Sequence, residues 1–215
     1  MKAGRTGNKR RFSYKVAQFV TWTVMKILFR IRVEGVENIP GDGGVIIASN
    51  HASLADPPGL GCVIPREISY FAKKELFRVP VVGPFIAWAN GVSVDREGGG
   101  AAALKEMVRR LRDGWAILVF PEGTRTKTGK FGEPKSGAGM AAVMAGVPIV
   151  PCWIEGSFHP KPFRFRITFH FLPPFHPEEI QAETKKDHYS LVSRRIMCDI
   201  NKLYNSHMAV RNQAK

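Results

Sequence analysis

A histidine and an aspartate stand five positions apart in the run Asn50-His51-Ala52-Ser53-Leu54-Ala55-Asp56. An imidazole can take up a proton near neutral pH, and a carboxylate can fix its tautomer and stabilise the cation that forms. Five residues turn a helix well past one full turn, so the two side chains would meet across a tight loop or the first turn of a helix. Pro57 and Pro58 stiffen the chain directly after the aspartate. Ser53 lies between the pair, but no Gly-x-Ser-x-Gly elbow surrounds it, and it reads as a turn or cap residue. The spacing makes His51 a candidate general base and Asp56 its partner.

A second polar cluster, Phe120-Pro121-Glu122-Gly123-Thr124-Arg125, carries different chemistry. An arginine fork binds two phosphate oxygens at once, and a Pro-Glu-Gly-Thr turn exposes backbone N–H groups beside it. Arg96, Lys73 and Lys135 are further candidates for the same anion, with Lys74 as a weaker one. Glu122 is expected to hold the turn, or an arginine, in place. A base and a phosphate clamp suggest transfer to a hydroxyl on a phosphorylated acceptor from a donor already activated. Gly98-Gly99-Gly100 lacks the lysine and the serine or threonine of a P-loop. His159, His170, His176, His188 and His207 are scattered without ligand spacing. Neither a metal nor a resident cofactor is expected.

These residues need elements to position them. Apolar runs predict strands at Ile31–Glu34, Val45–Ser49, Ile68–Ala72, Gly91–Val94, Ala116–Phe120, Ile149–Ile154 and Phe165–Phe171. Helical stretches fall at Pro58–Val63, Val82–Asn90, Ala101–Asp113, Gly137–Ala145 and Asp187–Asn205. Strands alternating with helices imply an α/β fold: one domain with a largely parallel mixed sheet flanked by helices. Ligands gather outside the carboxyl ends of the strands in such sheets. His51, Asp95-Arg96 and Glu122–Arg125 each follow a predicted strand, so three strands deliver their polar residues to one edge.

The chain has 215 residues, 44% of them hydrophobic, and a formal net charge of +14. That length suits one well-buried domain. Three widely spaced cysteines, Cys62, Cys152 and Cys198, argue against a disulfide framework and suit a reducing compartment. The charge would suit nucleic acid, anionic lipid or a phosphorylated substrate. Its distribution favours lipid: Lys2, Arg5, Lys9, Arg10 and Arg11 precede an apolar segment, Phe12 to Ile31. Lys15, Gln18, Lys26 and Arg30 interrupt that segment, which is therefore a poor transmembrane span. Lys15, Lys26 and Arg30 share one side of a helix, and Val16, Val20, Val24, Ile27 and Ile31 another. This predicts a cationic amphipathic helix lying in the headgroup region; a core-packing helix with a solvated basic edge is the alternative. A signal peptide does not fit, since Lys26 breaks the apolar core. Most aromatics fall in strands and the first helix instead of interleaving with basic residues, so no nucleic-acid partner is expected.

From about Val33 to Pro151 the sequence resembles the glycerolipid acyltransferases of the lysophosphatidate (1-acylglycerol-3-phosphate) type. His51 through Asp56 corresponds to the family's His-x4-Asp catalytic block. Gly91 to Arg96 corresponds to a second block, whose arginine binds the acceptor phosphate. It departs from the usual pattern at Asn90, where the family often has glycine, and at Ser93, where an apolar residue or proline is common. Phe120–Arg125 matches the third, acceptor-binding block, and Val147-Pro148-Ile149-Val150-Pro151 resembles the fourth, associated with the acyl side.

The resemblance implies an enzyme of phospholipid synthesis that carries an acyl group from acyl-CoA or acyl-acyl carrier protein to lysophosphatidate, giving phosphatidic acid. The same base and clamp would serve glycerol-3-phosphate, another lysophospholipid or an aminoacyl lyso-lipid. His51 and Asp56 would be catalytic, and Lys73, Arg96, Glu122, Gly123, Thr124 and Arg125 would bind substrate. Backbone N–H groups near His51 or Gly123 are candidates to steady the oxyanion. The expected organisation is a basic arm and membrane-associating helix over 1–31, an acyltransferase domain over 32–205 and a polar, fraying tail over 206–215. The protein is expected to sit peripherally on the cytoplasmic face of a membrane. A non-catalytic basic membrane- or nucleic-acid-binding protein is the contrasting reading, and the His51–Asp56 pair argues against it.

Overall fold

The computed structural model describes residues 12–80, 82–94, 100–164 and 166–213. Among these, seven strands form one sheet: β1 (Arg30–Glu34), β2 (Val45–Ser49), β3 (Ile68–Lys73), β4 (Gly91–Val94), β5 (Ala116–Val119), β6 (Ile149–Glu155) and β7 (Arg166–Phe171). Their order is β1-β7-β6-β2-β5-β3-β4. Every neighbouring pair is parallel except β6 and β7, which run antiparallel. Among the described residues six α-helices surround the sheet: α1 (Phe12–Leu28), α2 (Asp56–Val63), α3 (Val82–Trp88), α4 (Ala101–Arg112), α5 (Gly137–Ala145) and α6 (Lys185–Gln213).

β2 is buried along its whole length because the sheet is covered on both faces. Alternate side chains serve opposite layers. Val45 and Ile47 pack with Met25 of α1, Leu60 of α2 and Phe169. Ile46 and Ala48 pack with Val108 of α4, Ala141 of α5 and Ile196 of α6. The small residues of α5 allow close packing: a Cβ on Gly139 would lie 2.1 Å from the carbonyl oxygen of Tyr189, and the Gly139 amide donates to Ser193 Oγ at 2.9 Å. At the far end of the strands the Arg66 guanidinium donates to four carbonyls, those of Pro40, Asp42, Gly43 and Gly114. One side chain thereby fastens the glycine-rich turn before β2 to the turn before β5.

Two sequence expectations change. The segment Phe12 to Ile31 is not one helix: α1 stops at Leu28, and Arg30 and Ile31 belong to β1, paired in register with Arg166 and Ile167. Residues 206–213 are helical instead of forming a separate polar tail. α6 continues to Gln213, and Tyr204 and His207 hold it down by packing edge-on against the Trp153 ring at 5.8 and 5.2 Å.

α1 is set with its apolar valines outward. Tyr14, Ala17 and Met25 are buried, and Gln18 donates to the carbonyls of Gly61 and Ile64. Phe12, Phe19 and Ile27 are 83%, 67% and 62% exposed, and Val16, Val20 and Val24 are exposed with them. Lys15 and Lys26 flank this arc, the Lys26 ammonium lying 4.4 Å from the Trp22 ring centre. Among the described residues no helix is long and apolar enough to cross a membrane.

Candidate active site

The parallel strands β2, β3, β4, β5 and β6 end at one edge of the sheet. Because β7 and β1 run the other way, they begin there. His51 follows β2, the central strand, between β5 and β6. Asp56 opens α2. Its Oδ2 lies 2.9 Å from His51 Nδ1 and accepts the backbone N–H groups of Ala52 and Ser53, each at 2.7 Å. The carboxylate is 1% exposed and sits at the start of a short helix. Asp56 Oδ1 is buried and makes no hydrogen bond. Nδ1 thus faces a fixed acceptor, and Nε2 is left for a substrate. The His51 ring stacks on Phe120, centres 4.0 Å apart, which fixes its plane.

The loop carrying His51 is anchored on both sides. Asn50 Nδ2 donates to the Ile154 carbonyl at 3.1 Å, and the Ile154 amide donates to Asn50 Oδ1 at 2.7 Å. Glu122 accepts the His51 amide at 3.1 Å and the Gly132 amide at 2.7 Å. The Thr126 amide donates to the His51 carbonyl at 2.8 Å. Glu122 is buried, and its carboxylate ties two loops together. Gly123, at φ 70°, turns the chain in the left-handed region, where a Cβ would lie 3.1 Å from the Lys135 side chain.

Thr124 and Arg125 are exposed and line a cavity of about 510 Å³ with Ala52 and Ser53. Lys73 ends β3, two strands from β2, and is exposed at the same edge without lining that cavity. Arg96 lies outside the described residues. Four backbone N–H groups of these loops are already engaged: the amides of His51, Ala52 and Ser53 donate to Glu122 and Asp56, and that of Gly123 donates to the Phe120 carbonyl. These groups are committed to holding the loop.

A second cavity, of about 660 Å³, meets the first at Ala52, Thr126 and Phe158 and is lined by His51 itself. It contains a group that sequence spacing did not reveal. His170 of β7 has Nδ1 2.9 Å from Glu34 and Nε2 3.2 Å from Glu155, on the neighbouring strands β1 and β6. Ligand atoms of Glu155, His170 and His207 lie within 4.8 Å of one another. The sheet register and the extra turns of α6 bring them together, so scatter along the sequence was misleading. Arg32, Arg164, Arg166 and Arg211 share this cavity and set its charge against a cation.

Residues 30–155 match the family model described as Acyltransferase. The chain is 33% identical over 144 residues to the 1-acyl-sn-glycerol-3-phosphate acyltransferase of Bacillus subtilis, covering 66% of this chain and 71% of that protein. It is 30% identical over 154 residues to a chloroplastic 1-acyl-sn-glycerol-3-phosphate acyltransferase of Arabidopsis thaliana, covering 69% of this chain but only 42% of that one. The crystal structure of the 1-acyl-sn-glycerophosphate acyltransferase of Thermotoga maritima superposes with a TM-score of 0.69 at 28% identity, over 91% of this chain and 84% of that one. The matched segment carries the His51–Asp56 pair and the turn that ends in Arg125, and the chain belongs to the acyltransferase family.

Proposed function

We propose that the protein transfers a fatty acyl group from an acyl thioester to the sn-2 hydroxyl of 1-acylglycerol-3-phosphate, forming phosphatidic acid. The observation that carries this reading is the Thr126–His51 main-chain bond of 2.8 Å, which locks the Arg125 turn against the candidate base. A phosphate held by Arg125 is then only a few bonds from a hydroxyl at His51, as in a glycerol-3-phosphate. Holding both ends makes the attack effectively intramolecular.

His51 Nε2 takes the proton of the hydroxyl while Asp56 stabilises the resulting imidazolium through Nδ1. The oxygen attacks the thioester carbonyl carbon. As the carbon–sulfur bond breaks, the thiolate leaves and recovers the proton from Nε2. Arg125, with Arg96 and Lys73 as further cations, holds the acceptor phosphate. Glu122 and Gly123 shape the turn that presents Thr124 and Arg125.

Acceptor and product are both lipids, so the enzyme works at a bilayer surface. The outward face of α1 supplies apolar area, and Lys15 and Lys26 supply attraction of roughly 1 kcal/mol each toward anionic lipid. Phe19→Ser/Ile27→Ser should weaken liposome sedimentation without changing the fold. The reaction itself is tested by supplying purified protein in liposomes with lysophosphatidate and palmitoyl- or oleoyl-CoA. His51-dependent phosphatidate is the expected product; turnover that survives His51→Ala would refute the mechanism.

A further inference from the structure

The proposed reaction needs two anionic substrates at one histidine, and two cavities meet at the loop beside His51. The smaller contains Arg125 and Lys127; the larger contains Arg32, Arg164, Arg166 and Arg211. Resting on the acyl-transfer reading, we infer that the larger cavity binds the phosphopantetheine arm of the acyl donor, with the arginines at its rim gripping the phosphate.

Distance from the base separates the two cavities. Arg125 comes from the loop after β5, next to β2, and its neighbour Thr126 bonds to His51 directly. It suits a phosphate a few bonds from the reacting hydroxyl. Arg166 begins β7 and Arg32 lies on β1, two and three strands from β2. At the usual strand spacing their backbones lie roughly 10 and roughly 14 Å across the sheet from that of β2. That span exceeds the few bonds between the acceptor's hydroxyl and its phosphate and suits the long arm between a thioester and its carrier's phosphate. Arg211 faces the same cavity from the last turn of α6.

The lining suits such an arm along its length. Trp153, Phe131 and Tyr204 give the cavity an apolar wall, and Glu155 adds a carboxylate that can accept from an amide group. Arg32 is bridged to Glu34 at 2.8 Å, which in turn contacts His170. That pairing leaves Arg164, Arg166 and Arg211 as the main source of positive charge. Guanidinium groups favour phosphate because their fork matches its oxygens.

Arg166→Glu/Arg211→Glu reverses two exposed charges outside the core. The experiment measures the KM of palmitoyl-CoA and of palmitoyl-acyl carrier protein at saturating lysophosphatidate, then the KM of lysophosphatidate at saturating donor. Donor KM is expected to rise about tenfold or more, with the acceptor KM within about twofold of its original value. A rise for both donors locates the site on their shared arm, and a rise for one alone identifies that carrier as the source. An unchanged donor KM, or a rise confined to lysophosphatidate, overturns the inference. If the unaltered enzyme shows no turnover of lysophosphatidate, the acceptor reading fails on its own, and calorimetry with free 4′-phosphopantetheine and coenzyme A tests the site directly. Binding lost in the double variant supports it; no binding, or equal binding by both proteins, overturns it. The melting temperature of the variant is measured alongside, and an unchanged value assigns any loss to the site.

Discussion

The Glu122 carboxylate accepts the backbone amide of His51 at 3.1 Å, so a residue of the turn that carries Arg125 sets the position of the candidate base. Its other oxygen accepts the Gly132 amide at 2.7 Å. Glu122→Gln keeps the size of the side chain but points an NH2 group at one of these donors. We expect kcat to fall about tenfold or more with little change in KM, since a loosened base loses alignment before it loses substrate. A kcat within twofold of the unaltered enzyme, measured in vesicles, contradicts this role.

Asp56→Asn tests the partner of the base. The amide can still accept from Ala52 and Ser53, but it cannot stabilise an imidazolium. By analogy with the same substitution in serine hydrolases, kcat should fall by ~10³–10⁴ while lysophosphatidate binding persists. Steady-state kinetics and equilibrium binding to the same vesicles separate the two quantities.

Arg125→Ala leaves the base in place and removes the exposed guanidinium beside it. The KM for lysophosphatidate should rise at least about tenfold. Arg125→Lys should recover only part of the loss, because an ammonium does not reproduce the fork. Full recovery by lysine would show that charge alone suffices.

Arg66→Ala should act on stability and not on chemistry. Four carbonyls lose their donor at a side chain that is 9% exposed, far from the site edge. We expect a loss of about 2–4 kcal/mol in chemical denaturation. Activity of the folded fraction should be retained.

The three thiols should differ in reactivity. Burial pushes the Cys62 thiol up to about 12 and raises Cys152 further, with the nearby Asp56 charge adding to the effect. Only the thiolate reacts, so at pH 8 both remain protonated as well as inaccessible. Cys198 is exposed. A disulfide reagent should therefore titrate about one thiol per native chain and about three in denaturant; three in the native protein would contradict the packing around β2.

The strands were legible because each is a short apolar run ended by turn residues. β2, β4 and helix α5 fall at their predicted limits, and most other strand ends lie within a residue of them. The His51–Asp56 contact was legible for a local reason, since both residues sit within one loop and helix start. Glu122 was half legible: its holding role could be guessed, but not that its partners would be main-chain amides. The larger cavity was hidden. Two of its arginines, Arg32 and Arg166, belong to strands that enter the active edge at their beginnings, whereas the usual rule looks only at strand ends. The single antiparallel pairing of β6 with β7 causes this, and nothing in a run such as Arg166–Phe171 reveals its direction. Trp153, His170 and His207 meet by register and by helix length, neither of which can be read from one sequence.

The orientation of α1 bears on how the molecule behaves in aqueous solution. Its hydrogen-bonding glutamine turns inward and its phenylalanines turn outward, the reverse of a helix built to face water. Such a face lowers its free energy against any apolar surface on offer, whether a detergent micelle, a lipid patch carried through purification or the same face of another molecule. The size and solubility measured for this protein will therefore depend on the amphiphile around it as much as on the chain.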